Sequence, residues 1–300
     1  MHDLDELLDQ VPALAGRSLV EELSGGLTNR NLKVVTPAGT YVVRCSQSDA
    51  SLLGIDRDAE HLNTAAAARA GVGPAVVDYR PDLGLLVIDF LTGKTLSEAD
   101  FADPAVLARA AEACRRLQAG PPFSGRFDMF RRRDGYLATA RAHGFALPAD
   151  YTRFEDAWAD VEAALAATAG PLVPCNNDLL AGNFVDDGAQ IWLIDYEYSG
   201  NNDPFFEIGN TATECEFSPE QTAAYTEAYL GRASRALLAR VRLQSLVSEY
   251  GWSLWGFIQA GSSPLDYDFQ GWGQHRFDKA ARTFTSPVLQ QLLEEVQLDD

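Results

Sequence analysis

The stretch from Pro174 to Asn210 places four oxygen-bearing side chains, Asp178, Asn183, Asp195 and Glu197, around one turn-rich hairpin. Phe184-Val185 and residues 190–194 are short runs rich in β-branched and aromatic residues. Asp186-Asp187-Gly188 between them supplies the positive φ that a tight hairpin needs. Asn183 ends the loop before the first strand and Asp195 follows the second, so the hairpin folds these two residues back toward each other. Hard oxygen ligands then converge at one end. Magnesium binds carboxylate and amide oxygens together with phosphate and water, and uses only one or two protein carboxylates. The pattern is that of a magnesium-phosphate site, more polar than a connecting hairpin requires.

The spacing Asp178-x-x-x-x-Asn183, then Asp195, matches the kinase arrangement of a base-bearing loop, a metal-binding Asn and a metal-binding Asp after the next strand pair. Asn176 stands two residues before Asp178, where most such loops carry His, and Tyr196-Glu197-Tyr198 follows Asp195 in place of Phe-Gly. The runs NNDLLAGNF and IDYEYSGNNDPFFEIGN resemble the choline/ethanolamine kinase family, a branch of the aminoglycoside-phosphotransferase-like kinases, and the resemblance extends over about residues 20 to 280.

The resemblance implies an α+β, two-lobe protein-kinase-like fold. An N-terminal antiparallel β-sheet lobe with one main helix, residues 1–91, would bind nucleotide; a larger, mainly α-helical C-terminal lobe, residues 92–300, would carry catalysis and the acceptor. The implied reaction is transfer of the γ-phosphoryl group of ATP, with Mg2+, to the hydroxyl of a small cationic alcohol, choline or ethanolamine. Asp178 would accept or orient that hydroxyl, Asn183 and Asp195 would hold magnesium, and Glu197 would act near the metal or the substrate. Asn176 can replace only part of the hydrogen bonding of the family's His, which puts the order of the loop in question. Two other readings stay open: a related phosphotransferase acting on another amine, an aminoglycoside or a thiamine-like alcohol, and a non-catalytic nucleotide-binding pseudokinase.

Further elements must position these groups. A glycine-rich turn, Ser24 to Asn31, lies between two short apolar runs and can lay backbone N–H groups over phosphates, with Gly25, Gly26, Thr28 and Asn29 as cofactor-binding candidates. In Tyr41 to Cys45, Arg44 falls on the face opposite Val43, and a charge in mid-strand is costly unless paired or met by a ligand. The resemblance makes Arg44 the cation that holds the α- and β-phosphates. Asp56 to Ala70 is a strong helix former, on which Glu60 would orient Arg44 through a carboxylate–guanidinium pair. Asp89 to Leu91 fit the hinge of a two-lobe kinase, with backbone that would pair with adenine. The Gly-Lys-Thr that follows lacks the earlier glycine of a P-loop, since Ile88 stands there. Near the C-terminus, Trp252 and Trp255 share a helix face, and with Tyr267 and Trp272 they fall where choline kinases line their acceptor pocket.

Elsewhere, helical periodicity marks Leu4 to Leu14 as a short amphipathic helix, and Arg126 with Arg131 to Arg133 forms a basic patch that reads as a solvated face. At 300 residues, 46% hydrophobic and 22% charged, the chain is long enough for one large domain or two lobes. A net charge of −19 argues against nucleic acid or anionic membrane as the main partner and favours a cationic small molecule. Cysteines 45, 114, 175 and 215 have no metal-ligand spacing. The acidic N-terminus and the absence of an apolar run of about 18 residues predict a cytoplasmic protein without a membrane span.

Overall fold

The computed structural model describes residues 4–23, 26–46 and 50–299. Five strands, β1 (Leu19–Leu23), β2 (Asn29–Val35), β3 (Thr40–Ser46), β4 (Val76–Arg80) and β5 (Leu85–Asp89), form an antiparallel sheet in the order β1-β2-β3-β5-β4. Alternation puts Leu32, Val34, Val43, Leu85 and Val87 on one face, where they pack against Leu8, Val11 and Leu14. The helix expected over Leu4 to Leu14 is shorter: α1 (Leu4–Leu8) stops, and Pro12 opens a separate 3-10 turn, Pro12–Leu14. Proline has no N–H for the helical ladder. The apolar residues still reach the sheet, so the expected cover forms in two pieces.

Helix α2 (Arg57–Arg69) starts at Asp56, whose side chain accepts the Ala59 N–H at 3.0 Å. Its buried residues are Glu60, Asn63, Thr64, Ala66 and Ala67. Ala66 and Ala67, with Val72 just beyond, pack with Leu96, Phe101, Leu193 and Tyr196 of the chain beyond the sheet, and not with the core beneath the sheet. Asn63 donates to Ser199 Oγ at 3.0 Å, and the Leu193 N–H donates to the Val72 carbonyl at 2.7 Å.

Beyond Asp89, β6 (Lys94–Thr95) pairs with Val185 and Asp186 of the hairpin, so Lys94-Thr95 forms a sheet edge and not a phosphate loop. A Cβ at Gly93 would come 2.7 Å from the Asp186 carbonyl, which explains the glycine. Then follow α3 (Pro104–Gln118), α4 (Met129–His143), α5 (Glu155–Ala167), β7 (Val173–Cys175), β8 (Phe184–Asp186), β9 (Ile191–Leu193) and β10 (Gly200–Asn202). Helices α6 (Pro204–Glu214), α7 (Pro219–Leu230), α8 (Arg235–Ser262), α9 (Phe269–Phe284) and α10 (Pro287–Glu295) complete the chain. Strands β8 and β9 are the expected hairpin, with Gly188 at φ +90° in its turn. The long helix α8 is buried along most of its middle and packs against α4, α6 and α9. Among the described residues no helix is long and apolar enough to cross a membrane.

The basic patch divides on folding. Arg126 is exposed, whereas Arg133 is 2% exposed, paired with Glu155 and set against the rings of Tyr151, Trp158 and Tyr250. A solvated face was expected for all four arginines, but Arg133 lies inside because rings and a carboxylate surround its guanidinium. Arg132 donates to the Leu53 carbonyl at 3.0 Å, while Leu53 itself is buried in the core of the helical half.

Candidate active site

Two non-glycine residues with positive φ flank the site, Asn177 at 69° and Asp195 at 64°. Such conformations cost about 1–3 kcal/mol unless the surroundings hold them. The surroundings do. Asn177 donates from its side chain to the Cys175 and Tyr198 carbonyls at 3.2 and 3.1 Å. The backbone N–H groups of Asn176 and Asn177 each donate to one oxygen of the buried Glu207 carboxylate, both at 2.7 Å. Asn176 donates to the carbonyls of Ile194 and Asp195 at 3.1 and 2.8 Å and accepts the Asp178 N–H at 3.1 Å. Asn176 therefore ties the Asp178 loop to the segment at Ile194 and Asp195.

Asp178, Asn183, Asp195 and Glu197 come together on one side of a cavity of about 240 Å3. Asn183 commits its Nδ2 to the Asp178 carbonyl at 2.7 Å, which leaves its Oδ1 without a hydrogen bond among the described residues. Asp195 Oδ1 is buried and lies 2.8 Å from an Arg44 nitrogen, yet no donor is aligned on it. Asn183 Oδ1 and the carboxylate of Asp195, whose side chain is 27% exposed, are oxygens of the kind that could hold a magnesium ion together with nucleotide phosphate. No cluster of three or more His, Cys, Asp or Glu side chains is arranged among the described residues to hold a metal unaided. Burial pushes the Asp178 carboxyl well above its ordinary range, and the charges of Glu214, Asp195 and Glu197 add to the effect.

Arg44 pairs with Glu60 as expected and also reaches Asp195. Sequence reasoning missed Arg57, one turn before Glu60 on α2, which bonds Glu60 at 2.6 Å, Glu197 at 3.0 Å and the Asn29 carbonyl oxygen of the side chain at 2.7 Å. Glu197 is the hub: it accepts from Thr28 Oγ1 and Asn29 Nδ2, each at 2.8 Å. The side chains of Thr28 and Asn29 thus face Glu197. Burial, with Asp195 beside it, raises the Glu197 carboxyl above its ordinary value.

Of the turn's glycines, Gly25 lies outside the described residues. Gly26 has the Asn29 carbonyl 2.5 Å from where a Cβ would sit, so no other residue fits. The Leu27 carbonyl accepts from Gln259 Nε2 of α8 at 3.1 Å, drawing the turn over the cavity. At the hinge, the Asp89 N–H is taken by the Ala75 carbonyl at 2.9 Å, while Leu91 lies past the end of the sheet. Of the backbone groups expected to meet adenine, the N–H groups of Asp89 and Phe90 are therefore committed to the sheet, the latter by the Thr40 carbonyl at 3.0 Å.

The opposite wall is aromatic. Trp252, Trp255, Tyr267 and Trp272 all line the cavity, joined by Tyr198. Trp252 and Trp255 are only 2% and 7% exposed, with indole N–H groups bonded to Asn210 Oδ1 and the Tyr198 hydroxyl, so they serve core and wall together. Tyr267 is exposed at the rim.

The profile of the phosphotransferase enzyme family, APH, matches residues 19–243. A choline/ethanolamine kinase family protein from Mesorhizobium loti is 33% identical in sequence, with a TM-score of 0.84 over 98% of each chain. The chain belongs to the choline/ethanolamine kinase family. Ethanolamine kinase 1 of Mus musculus is 25% identical over 298 aligned positions, 85% of this chain and 80% of that protein. The choline kinase LicA from Streptococcus pneumoniae, at 21% identity, shares the fold with a TM-score of 0.77 over 93% of this chain and 98% of that one. The chain is accordingly a phosphotransferase with the two-part kinase-like fold expected from its motifs.

For this kinase-family member, two further acids that sequence reasoning missed lie on α6. Glu207 and Glu214 are the only charged residues of the helix, PFFEIGNTATE, seven apart and so on one face. That spacing was the available signal. Glu214 lines the cavity and pairs with Arg276. Burial pushes the Glu207 carboxyl up to about 7 from 4.5, against the opposing effect of the two N–H bonds it accepts. Because the folded-state value is raised, its contribution to stability is complete below pH 4.5 and is lost as pH rises to about 7. The loss is on the order of 3 kcal/mol. Thermal unfolding of the wild type between pH 4.5 and 8 should show this decline, and Glu207→Gln should flatten it; parallel curves would assign the pH dependence to other groups.

Proposed function

We propose that this protein is an ATP- and magnesium-dependent kinase of a small cationic alcohol, with choline preferred over ethanolamine. The observation that carries the reading is the convergence of Asp178, Asn183 and Asp195 on a cavity whose far wall is aromatic and contains the Glu214 carboxylate. Asp178 accepts or orients the acceptor hydroxyl. Asn183 and Asp195 hold magnesium, which when bound offsets the charge of the nucleotide phosphates. Arg44, oriented by Glu60, faces the phosphates from the sheet, and the Gly26 turn covers them with its backbone. Glu197 fixes that turn and Arg57 relative to Asp195. Residues 1–91 and 92–300 act as the nucleotide and acceptor sides, joined at Leu91. Catalysis of this type is positioning plus charge stabilisation, and these groups suffice in kind.

A quaternary ammonium donates no N–H hydrogen bond, so a site selective for it relies on aromatic faces, each contributing about 0.5–2 kcal/mol. Trp252, Trp255, Trp272 and Tyr267 supply them, whereas a primary ammonium leaves such a cage partly empty. An ADP-release assay over choline, ethanolamine, aminoglycosides and thiamine tests the reading, with the highest kcat/KM expected for choline. Turnover confined to an aminoglycoside or thiamine would move the chain to another acceptor class. Nucleotide binding without release on any alcohol would make it a pseudokinase.

A further inference from the structure

Glu214 is the last residue of α6, where the helix carbonyls disfavour an acid, and its side chain is 2% exposed. A carboxylate there is costly unless a cation is fixed beside it. That cation is Arg276 of α9, whose Nε donates to Oε1 at 3.2 Å while the second nitrogen bonds Oε2. The same guanidinium lies 3.5 Å from the centre of the Trp272 ring. Glu214 and Trp272 both line the acceptor cavity; Arg276 stands behind them.

We propose that Arg276 is a positioning residue for the acceptor's cationic group, holding the Glu214 carboxylate by its fork and the Trp272 ring by its plane so that charge and aromatic face form one corner of the cavity. The proposal rests on the reading of the acceptor as a cationic alcohol. Only a planar, five-donor cation can make both contacts at once, so Lys would keep the charge and lose the geometry. Arg276 is not what holds α9 in place. One turn further on, Lys279 reaches Glu216 at 3.2 Å and Glu249 at 3.5 Å. Gly256 and Gly273 also bring α8 and α9 so close that a Cβ on Gly256 would lie 2.8 Å from the Gly273 Cα. The helix therefore has anchors that survive loss of the Arg276 pair.

The test uses initial rates of the full chain with ATP and either choline or its neutral carbon isostere, 3,3-dimethylbutan-1-ol. Arg276→Gln should raise the choline KM by about tenfold or more, leave kcat and the ATP KM within about twofold, and bring the choline and isostere KM values together. Arg276→Lys should recover only a small part of the choline KM. In a Glu214→Gln background, Arg276→Gln should add less than about twofold, because the residue it positions is already altered. An unchanged or lowered choline KM in Arg276→Gln, or additive effects in the double variant, overturns the proposal. If Arg276→Gln does not fold, Arg276→Lys decides, and a wild-type choline KM there also overturns it. A wild type that does not distinguish choline from the isostere sinks the acceptor reading and this proposal with it. Discrimination that persists in both Arg276 variants sinks this proposal alone.

Discussion

Asp178→Ala is expected to lower turnover by about 10²- to 10⁴-fold while nucleotide still binds. Asp178 lies on the acceptor side of the cavity and makes no ion pair with Arg44, whose charge is taken by Glu60 and Asp195. Its backbone is held by Asn176 and Asn183, so truncating the side chain leaves the loop's hydrogen bonds in place. The buried carboxyl is pushed upward by Glu214, Asp195 and Glu197. Nucleotide titration combined with single-turnover kinetics separates the two effects. A variant that turns over near the wild-type rate removes Asp178 from this role.

The second large effect is at Asp195. Asp195→Asn should weaken magnesium-nucleotide binding by about 30-fold or more, the roughly 2 kcal/mol or greater typical of a partner removed from a buried charged contact. The substitution is clean because Asn tolerates the positive φ that Asp195 adopts at 64°. It also withdraws the negative charge facing Arg44 at 2.8 Å. Nucleotide binding measured without magnesium should change far less than binding measured with it. Identical magnesium dependence in variant and wild type would count against Asp195 as a ligand.

The Asp178–Glu197 hairpin was legible because all its parts lie within one short stretch whose turn chemistry and strand pattern are local. Arg44 and Glu60 were legible as a pair only through the family's arrangement, and Arg57 was not, since an arginine one turn from Glu60 reads as an ordinary helix-surface residue. The end of α1 was misjudged because apolar periodicity continued through Pro12 although the backbone could not. Arg133 was misjudged because four arginines in eight residues suggest a solvated face, and the rings that receive it come from α5, α8 and the turn before α5. Trp252 and Trp255 are buried and line the cavity at once, a position that one-dimensional spacing does not distinguish from plain core.

The packing of α2 has a mechanical consequence. By sequence this helix belongs with the sheet, but Ala66, Ala67 and Val72 are embedded with Leu193 and Tyr196, and Asn63 is bonded to Ser199. Leu53, on the connector leading to it, is buried in the helical core and gripped by Arg132 and Tyr136. The sheet, with Leu8, Val11 and Leu14, has a core of its own. By packing, the division between the two bodies thus falls between β3 and α2 in the chain, and not where the sheet ends at Asp89. Glu60, Arg57 and Glu197 ride on the larger body, and Arg44 rides on the smaller. Arg44 with Glu60 and Asp195, Thr28 and Asn29 with Glu197, and Arg57 with Asn29 all cross that division, so the site's own charged network is the latch between the two cores.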